Sequence, residues 1–566
     1  MTDIYPCWYN VGTMYLRTVR SKGTEYVQLA HNHRSGGQTR SEILYSFGRK
    51  DQLDLDALRR LVKSISRFLE PEEVEKIQEE LGMDWPFEFL GSRKLGGTWL
   101  LDGLWRGLKL DEAFNRLLSQ RGYRTPVERL IFAMVVNRAL APASKLAMEH
   151  WVANEVWIEG LPEVEVHQLY RAMDFLLEAH DEIQRDVFYA VANLLNLEVD
   201  LLFIDTTSTY FEIEGEDPDG DEADGFRKRG RSKDGQPGLA QVVIGFAVTR
   251  DGIPVRCWVW PGNTSDMNVV EEVKRDLNGW KLGRVVVVMD TGFNSEENRR
   301  ILQGTGDAYI IGEKMRLGKD GKPPDALKRA GKYKKLENGL EIKEVVVQPG
   351  SVAHRRFVVV YNPEEAERDR KKREDIVAEA ERRLAELGNL EGKEHTKAVC
   401  ELRAHATYGR YLRQAKNGAL KINRAKIRQE EKLDGKFLVS TSDDGLSTED
   451  VVAGYKQLWQ IERVNRQLKH TVDIRPVYHR LEDRIRAHVL LCWLALLVIR
   501  VAENETQCTW YQMKRILSTL ELGIHQTRHG ELCQTNRVTE EQKALFQALH
   551  IKPPARYLAI PTPRSA

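Results

Sequence analysis

Two unbroken apolar runs that each end on an acid constrain this chain most: residues 199–205 (VDLLFID) and 284–290 (RVVVVMD). Short runs of this kind read as strands buried in a sheet. Between them, residues 241–248 and 253–260 read as two further strands joined by Thr249-Arg250-Asp251-Gly252, whose Asp-Gly marks a tight hairpin. A helix is expected over 267–277, another over 295–303, and a short strand over 308–311. The order strand, hairpin, helix, strand, helix, strand implies an α/β mixed sheet, because the acid-ended strands lie in βαβ-like crossovers while the hairpin is antiparallel.

An acid at a strand end is commonplace, since loops begin there. Asp205 and Asp290 differ in being held on rigid strands beside hydroxyl-rich or glycine turns, Thr206-Thr207 and Thr291-Gly292. Such strand ends are where an active site can be preorganised. Phosphoryl transfer on a polynucleotide by two metal ions needs a third oxygen ligand of the same kind, and Glu462 is the candidate. On its helix Tyr455, Glu462 and Lys469 recur at intervals of seven, about two turns, and so share one face. That face joins an acid for metal to two side chains able to hold phosphates. An exposed amphipathic helix with solvated Glu and Lys gives the same pattern.

Elsewhere the chain reads as follows. Residues 13–20, 24–32 and 38–47 alternate apolar and polar residues between turns, as in a small antiparallel β unit. Helical periodicity covers 54–82 and most of 95–197, where Thr125-Pro126 starts one helix. The latter block suits helix-turn-helix DNA binding or any all-α linker. After Gly312 the pattern breaks up: strands over 340–347 and 356–361, a charged helix opened by Asn362-Pro363 and stopped by Gly388, and a basic helical stretch to Lys432. This reads as an insertion. The tail past Ile551 is Pro-rich and expected to be extended.

With 42% hydrophobic and 30% charged residues, the 566-residue chain has the composition of a soluble globular protein of several cores. The apolar run 489–499, closed by Arg500, falls short of a bilayer span and is expected to be a buried helix, with no membrane partner. Six scattered cysteines without a CxxC pair, and the absence of a secretory pattern at the N-terminus, imply a cytoplasmic location. Lys and Arg number 85 against 84 acids, so net charge says nothing of nucleic acid; distribution does. Eight acids over 212–224 are followed by Arg227, Lys228, Arg229, Arg231 and Lys233, and nine basic residues fall over 403–432. Such clusters neutralise phosphates, though solvated faces have the same composition.

The strings SKDGQPGLAQVVIGFAVTRDGIPVRCWVWPGNTSD, RVVVVMDTGFNSEEN, YKQLWQIERVNRQLK and RPVYHRLEDRIRAHVLLCWLALL occur in that order. Together they resemble the DDE transposases of bacterial insertion sequences, in the group with a Tyr-x2-Arg-x3-Glu-x6-Lys helix. The resemblance implies a ribonuclease H-like catalytic domain over 198–312 and 435–505, interrupted by an α+β insertion domain over 313–434. Around it lie an N-terminal β unit with helices (1–90), a helical domain that binds DNA if it follows helix-turn-helix logic (91–197) and a C-terminal tail (506–566).

It also implies a metal-binding catalytic triad of Asp205, Asp290 and Glu462 with two Mg²⁺ or Mn²⁺ ions, and DNA contacts from Tyr455 and Lys469. Leu458 departs from the motif where Arg is expected, and Arg463 or Arg466 is a candidate substitute. Arg227, Arg229 and Arg231 are further DNA-binding candidates. Asn263 and Asp266 of the NTSD string either support the site or form a turn capping the next helix. The implied activity is nicking at terminal inverted repeats and joining of the 3′-ends to target DNA, by a homodimer on double-stranded DNA. The alternative is a transposase-derived DNA-binding protein without catalysis. A dehalogenase-type phosphatase is disfavoured, because Thr207 replaces the second Asp of that nucleophile loop.

Overall fold

Three antiparallel strands open the computed structural model: β1 (Met14–Ser21), β2 (Thr24–Ser35) and β3 (Gln38–Arg49), adjacent in that order. Ser21 pairs with Thr24 across a turn in which Gly23 adopts φ +85°, a conformation disfavoured for any residue with a Cβ. The structure describes residues 14–54 apart from 22 and 36–37, residues 57–58, 61 and 64, and residues 88–559 apart from 123–125, 195–200, 214, 220–224, 279–284, 305–307, 318–323, 348–354, 417 and 528–529. Most of the helices expected over 54–82, the Thr125 cap, part of the acidic run and the end of the tail lie outside the described residues. The chain divides into two compact units, Met1–Glu88 with Gln526–Gly530 and Phe89–His525 with Glu531–Ala566.

In the second unit, β4 (Glu88–Lys94) leads into helices and then into one large mixed sheet. Its strands are β5 (Leu201–Tyr210), β6 (Gln241–Thr249), β7 (Pro254–Pro261), β8 (Val286–Met289), β9 (Ala308–Glu313), β10 (Lys334–Lys335), β11 (Glu341–Val347) and β12 (Arg355–Tyr361). An excursion containing the small hairpin β13 (Leu412–Gln414) and β14 (Leu420–Ile422) precedes the last of them, β15 (Lys436–Thr441). The spatial order is β10-β11-β12-β15-β9-β8-β5-β6-β7. β5, β8 and β9 are parallel, β6 runs antiparallel beside β5, and β7 runs antiparallel beside β6. Helices Val270–Asn278 and Glu296–Gly304 make the crossovers. Every residue of β8 and of Leu201–Ile204 is buried, which explains why these segments lack polar alternation.

Four expectations are corrected. Strands β11 and β12 belong to the central sheet, since β12 pairs with both β11 and β15; the part that leaves the sheet is 362–435 rather than 313–434. Asn362 caps its long helix, Pro363–Leu387, by accepting from the backbone of Glu364 and Glu365. The basic stretch that follows is two helices, Gly392–Ala404 and Arg424–Glu431, separated by the β13–β14 hairpin, with a small core of Ala380, Leu387, Leu402 and Leu412. A low share of apolar residues hides that core from periodicity.

The helices over 96–194 are not a separate domain. They share one continuous core with the sheet, in which helix Val127–Leu140 is buried nearly end to end. The apolar run 489–499 lies in a 25-residue helix, Glu482–Thr506, long and apolar enough to cross a bilayer by length and composition, but 94% of its apolar stretch is buried inside the protein. Arg500 and Trp493 fix it to the sheet, donating to Gly252 O at 2.9 Å and Pro254 O at 2.8 Å. Nor is 506–566 a tail: helix Trp510–Leu517, strands β16 (Glu521–Thr527) and β17 (Gly530–Thr535), helix Glu540–Ala548 and strand β18 (Tyr557–Ala559) follow, the strands forming a sheet in the order β18-β17-β16-β4. Finally, the single helix expected through Tyr455 and Lys469 breaks at Gln457-Leu458 into Thr448–Lys456 and Trp459–His470.

Candidate active site

Parallel pairing brings two carboxylates together. Ile204 on β5 lies opposite Met289 on β8, so the residues that follow, Asp205 and Asp290, stand side by side where β8 ends; Asp205 does not end its own strand as expected, because β5 continues to Tyr210 in pairing with β6. Glu462 comes from the first turn of helix Trp459–His470, which Leu458 begins. Asp205, Asp290 and Glu462 line one cleft of about 330 Å³ with Tyr455, Leu458 and Trp459 among its other walls. Its lining is acidic at the sheet edge and aromatic at the helix.

Asp290 accepts from Tyr455 Oη at 3.1 Å and Thr291 Oγ1 at 2.9 Å. The Tyr455 ring stacks on Phe437, with centroids 5.8 Å apart, and passes so close to Gly312 that a Cβ there would collide with its hydroxyl. Burial, and then the Asp290 charge, push the Tyr455 hydroxyl well above the usual phenol range, so it remains a donor. Asp205 accepts from Asn465 Nδ2 at 3.0 Å. Burial chiefly pushes the Asp205 carboxyl up to about 6; the charges of Asp266 and Asp290 add to this, while Lys233 and the Thr206 backbone N–H oppose it.

Lys233 reaches into the same cluster. Its Nζ donates to Thr206 O at 2.8 Å and Asp266 Oδ1 at 3.0 Å, and lies 3.9 Å from Asp205 Oδ1. Asp266 also accepts from the Thr206 hydroxyl. Of the two readings of the NTSD string, Asp266 thus faces the acid cluster, whereas Asn263 is exposed.

Other expected DNA contacts are differently placed. Lys469 forms an ion pair with Asp234 at 2.7 Å, and Arg475 lies 3.7 Å from the same carboxylate. Arg463 donates to Glu503 at 2.9 Å. Arg466 is exposed one turn beyond Glu462, on the same side of the helix. Arg227 pairs with Asp217 and lies over the Phe211 ring, and Arg229 donates to Gly238 O at 3.0 Å. Arg231 is exposed. Leu458, where the motif expects Arg, offers the cleft an apolar wall.

Sequence reasoning missed three residues. Asn465 was accessible to it, being one turn from Glu462 on a helix. Lys233 was visible only as a member of a basic run. Trp459 was hidden by the helix break, which turns it toward the cleft mouth with 51% of its surface exposed.

The donor chemistry fits a hard divalent cation, since three carboxylates line one cleft, where burial, and to a lesser extent the charges of Asp266 and Asp290, raise Asp205. Among the described residues, no three His, Cys, Asp or Glu side chains stand close enough as placed to grip an ion together.

A family model described as the transposase DDE domain matches residues 200–498, and one described as the IS1634 family transposase, N-terminal domain, matches residues 16–77. No curated protein matches the chain. Among solved structures, a piggyBac transposase synaptic complex with hairpin DNA is similar at 12% identity over 70% of each chain with a TM-score of 0.33, too distant to argue from. With more than half of its length matched by the first of these models, the chain belongs to the DDE transposases of insertion sequences.

Proposed function

We propose that the chain binds the terminal inverted repeats of its own element, nicks the DNA there and joins the freed 3′-ends to target DNA, with Asp205, Asp290 and Glu462 as the catalytic carboxylates. The observation that carries this reading is that residues from two strands and a helix, far apart in sequence, open on one cleft. The order β7-β6-β5-β8-β9, with β5, β8 and β9 parallel, supports a ribonuclease H-like catalytic core interrupted at 362–435.

Asp205, Asp290 and Glu462 would hold Mg²⁺ or Mn²⁺. Held by these carboxylates, such an ion would supply the Lewis acidity that activates a water or 3′-hydroxyl and stabilises the leaving 3′-oxygen. The protein's own groups orient these ligands: Asn465 fixes Asp205, and the Tyr455 hydroxyl fixes Asp290. Trp459 offers an aromatic face at the cleft mouth on which a terminal base stacks, and Arg466 offers a charge for the adjacent phosphate. Two ends joined in one event call for a homodimer on DNA, and action on bacterial chromosomal or plasmid DNA places the protein in the cytoplasm.

The test is incubation of the full chain with a labelled duplex carrying its gene's own flanking sequence, in Mg²⁺, Mn²⁺ or EDTA. Metal-dependent nicking at the repeat boundary is expected. Binding without cleavage under every metal condition would instead favour a DNA-binding protein without catalysis.

A further inference from the structure

We propose that Lys233 is a built-in counter-ion of the acid cluster, which sits between Asp205 and Asp266 when no divalent cation is bound and withdraws when one binds. The inference rests on the reading of Asp205 as a metal ligand.

Geometry is the first support. The Lys233 ammonium lies within 3.0 Å of Asp266 Oδ1 and 3.9 Å of Asp205 Oδ1, and it also donates to the Thr206 carbonyl. These are the oxygen donors that a hard cation seeks. Among the described residues, Lys233 is the one cation paired with Asp205 and Asp266. Lys469 and Arg475, the nearby alternatives, are drawn off by Asp234, the very next residue in the chain.

Tethering is the second. The Lys233 backbone N–H donates to Ser208 Oγ at 2.9 Å, and Asp234 holds the loop to Lys469 at the end of Glu462's helix. The backbone is therefore fixed on both sides of the lysine, and what remains free is a four-carbon stem. Its side chain retains 30% exposure, so the ammonium can leave for solvent without opening the core. A cation that enters the cluster and an ammonium already there compete for the same charge. Asp205, Asp266 and Asp290 together can bear one monovalent partner at modest cost, whereas a divalent ion gains more from them once the lysine has left.

The experiment is Mn²⁺ binding to the full chain without DNA, followed by electron paramagnetic resonance of free Mn²⁺, for wild type, Lys233→Gln, Lys233→Arg and Asp205→Asn. Lys233→Gln is expected to bind Mn²⁺ at least about fivefold more tightly, the factor set by removing one charge at about 4 Å even in water-like screening. Lys233→Arg is expected to bind no more tightly than wild type. Equal or weaker binding by Lys233→Gln, with binding still lost in Asp205→Asn, overturns the counter-ion and leaves the metal site standing. If no binding depends on Asp205, the site reading fails and the counter-ion with it.

A second measurement needs no variant to fold. Reductive methylation of wild type, read by mass spectrometry, is expected to modify Lys233 several-fold faster with Mn²⁺ than without. An unchanged rate overturns the proposal.

Discussion

The Tyr455 hydroxyl donates to Asp290 Oδ1 at 3.1 Å, with its ring held between Phe437 and the backbone of Gly312. On the proposed reading, a tyrosine so placed orients the Asp290 carboxylate rather than contacting a phosphate. Tyr455→Phe removes one hydrogen bond, of about 1 kcal/mol, so nicking is expected to slow by roughly fivefold to tenfold. End-binding affinity and its salt dependence should stay as in wild type. A loss of affinity with a salt slope smaller by about one would show a phosphate contact instead.

Gly312→Ala places a Cβ where the Tyr455 hydroxyl lies. Overpacking of this kind costs about 1–3 kcal/mol. Urea unfolding is expected to show that loss, and combining Gly312→Ala with Tyr455→Phe should recover part of it. Equal midpoints for wild type and Gly312→Ala would mean that the ring is not confined there.

Lys469 and Asp234 form a largely buried pair, with side chains 14% and 6% exposed. Lys469→Ala leaves the carboxylate without its closest partner, at a cost of about 3 kcal/mol. The double variant Lys469→Met/Asp234→Asn removes the charge as well and should regain most of that stability. If Lys469→Ala is as stable as wild type but binds element ends more weakly, the lysine serves DNA rather than the loop.

Burial pushes the Asp205 carboxyl up to about 6 in the fold, from an ordinary value of 3.8. The folded state therefore binds more protons than the unfolded one between about pH 4 and 6, and the carboxylate destabilises the fold above that window. Without metal, Asp205→Asn is expected to be more stable than wild type at pH 8 by about 1–3 kcal/mol. The difference should shrink as pH falls through 6 toward 4. A difference independent of pH would place the Asp205 pKa near its ordinary value.

Part of this candidate site is legible in the sequence because buried apolar runs and turn residues are local signals. The apolar runs before Asp205 and Asp290 point to the two carboxylates that meet in the cleft, although β5 runs on past Asp205, and Asp-Gly marks the turn between β6 and β7. Pairing between distant segments is not legible: nothing in residues 355–361 announces that they lie between β11 and β15, so the sequence alone puts β12 in an insertion. The break at Gln457-Leu458 has neither Gly nor Pro to signal it, and so the interval of seven between Tyr455 and Glu462 suggested one helix where there are two. Ion pairs are likewise a property of the folded chain. Lys233, Asp234 and Lys469 read as surface charges until β5 and the helix of Glu462 bring them together.

The most direct measurement is cleavage of labelled element ends by Asp205→Asn, Asp290→Asn and Glu462→Gln beside wild type, with DNA binding measured on the same preparations. Each variant is expected to lose nicking by at least about 10³-fold while binding ends within a few fold of wild type, because each loses a carboxylate and no phosphate contact. Near-normal nicking by any one of the three would remove that residue from the site and contradict the three-carboxylate account.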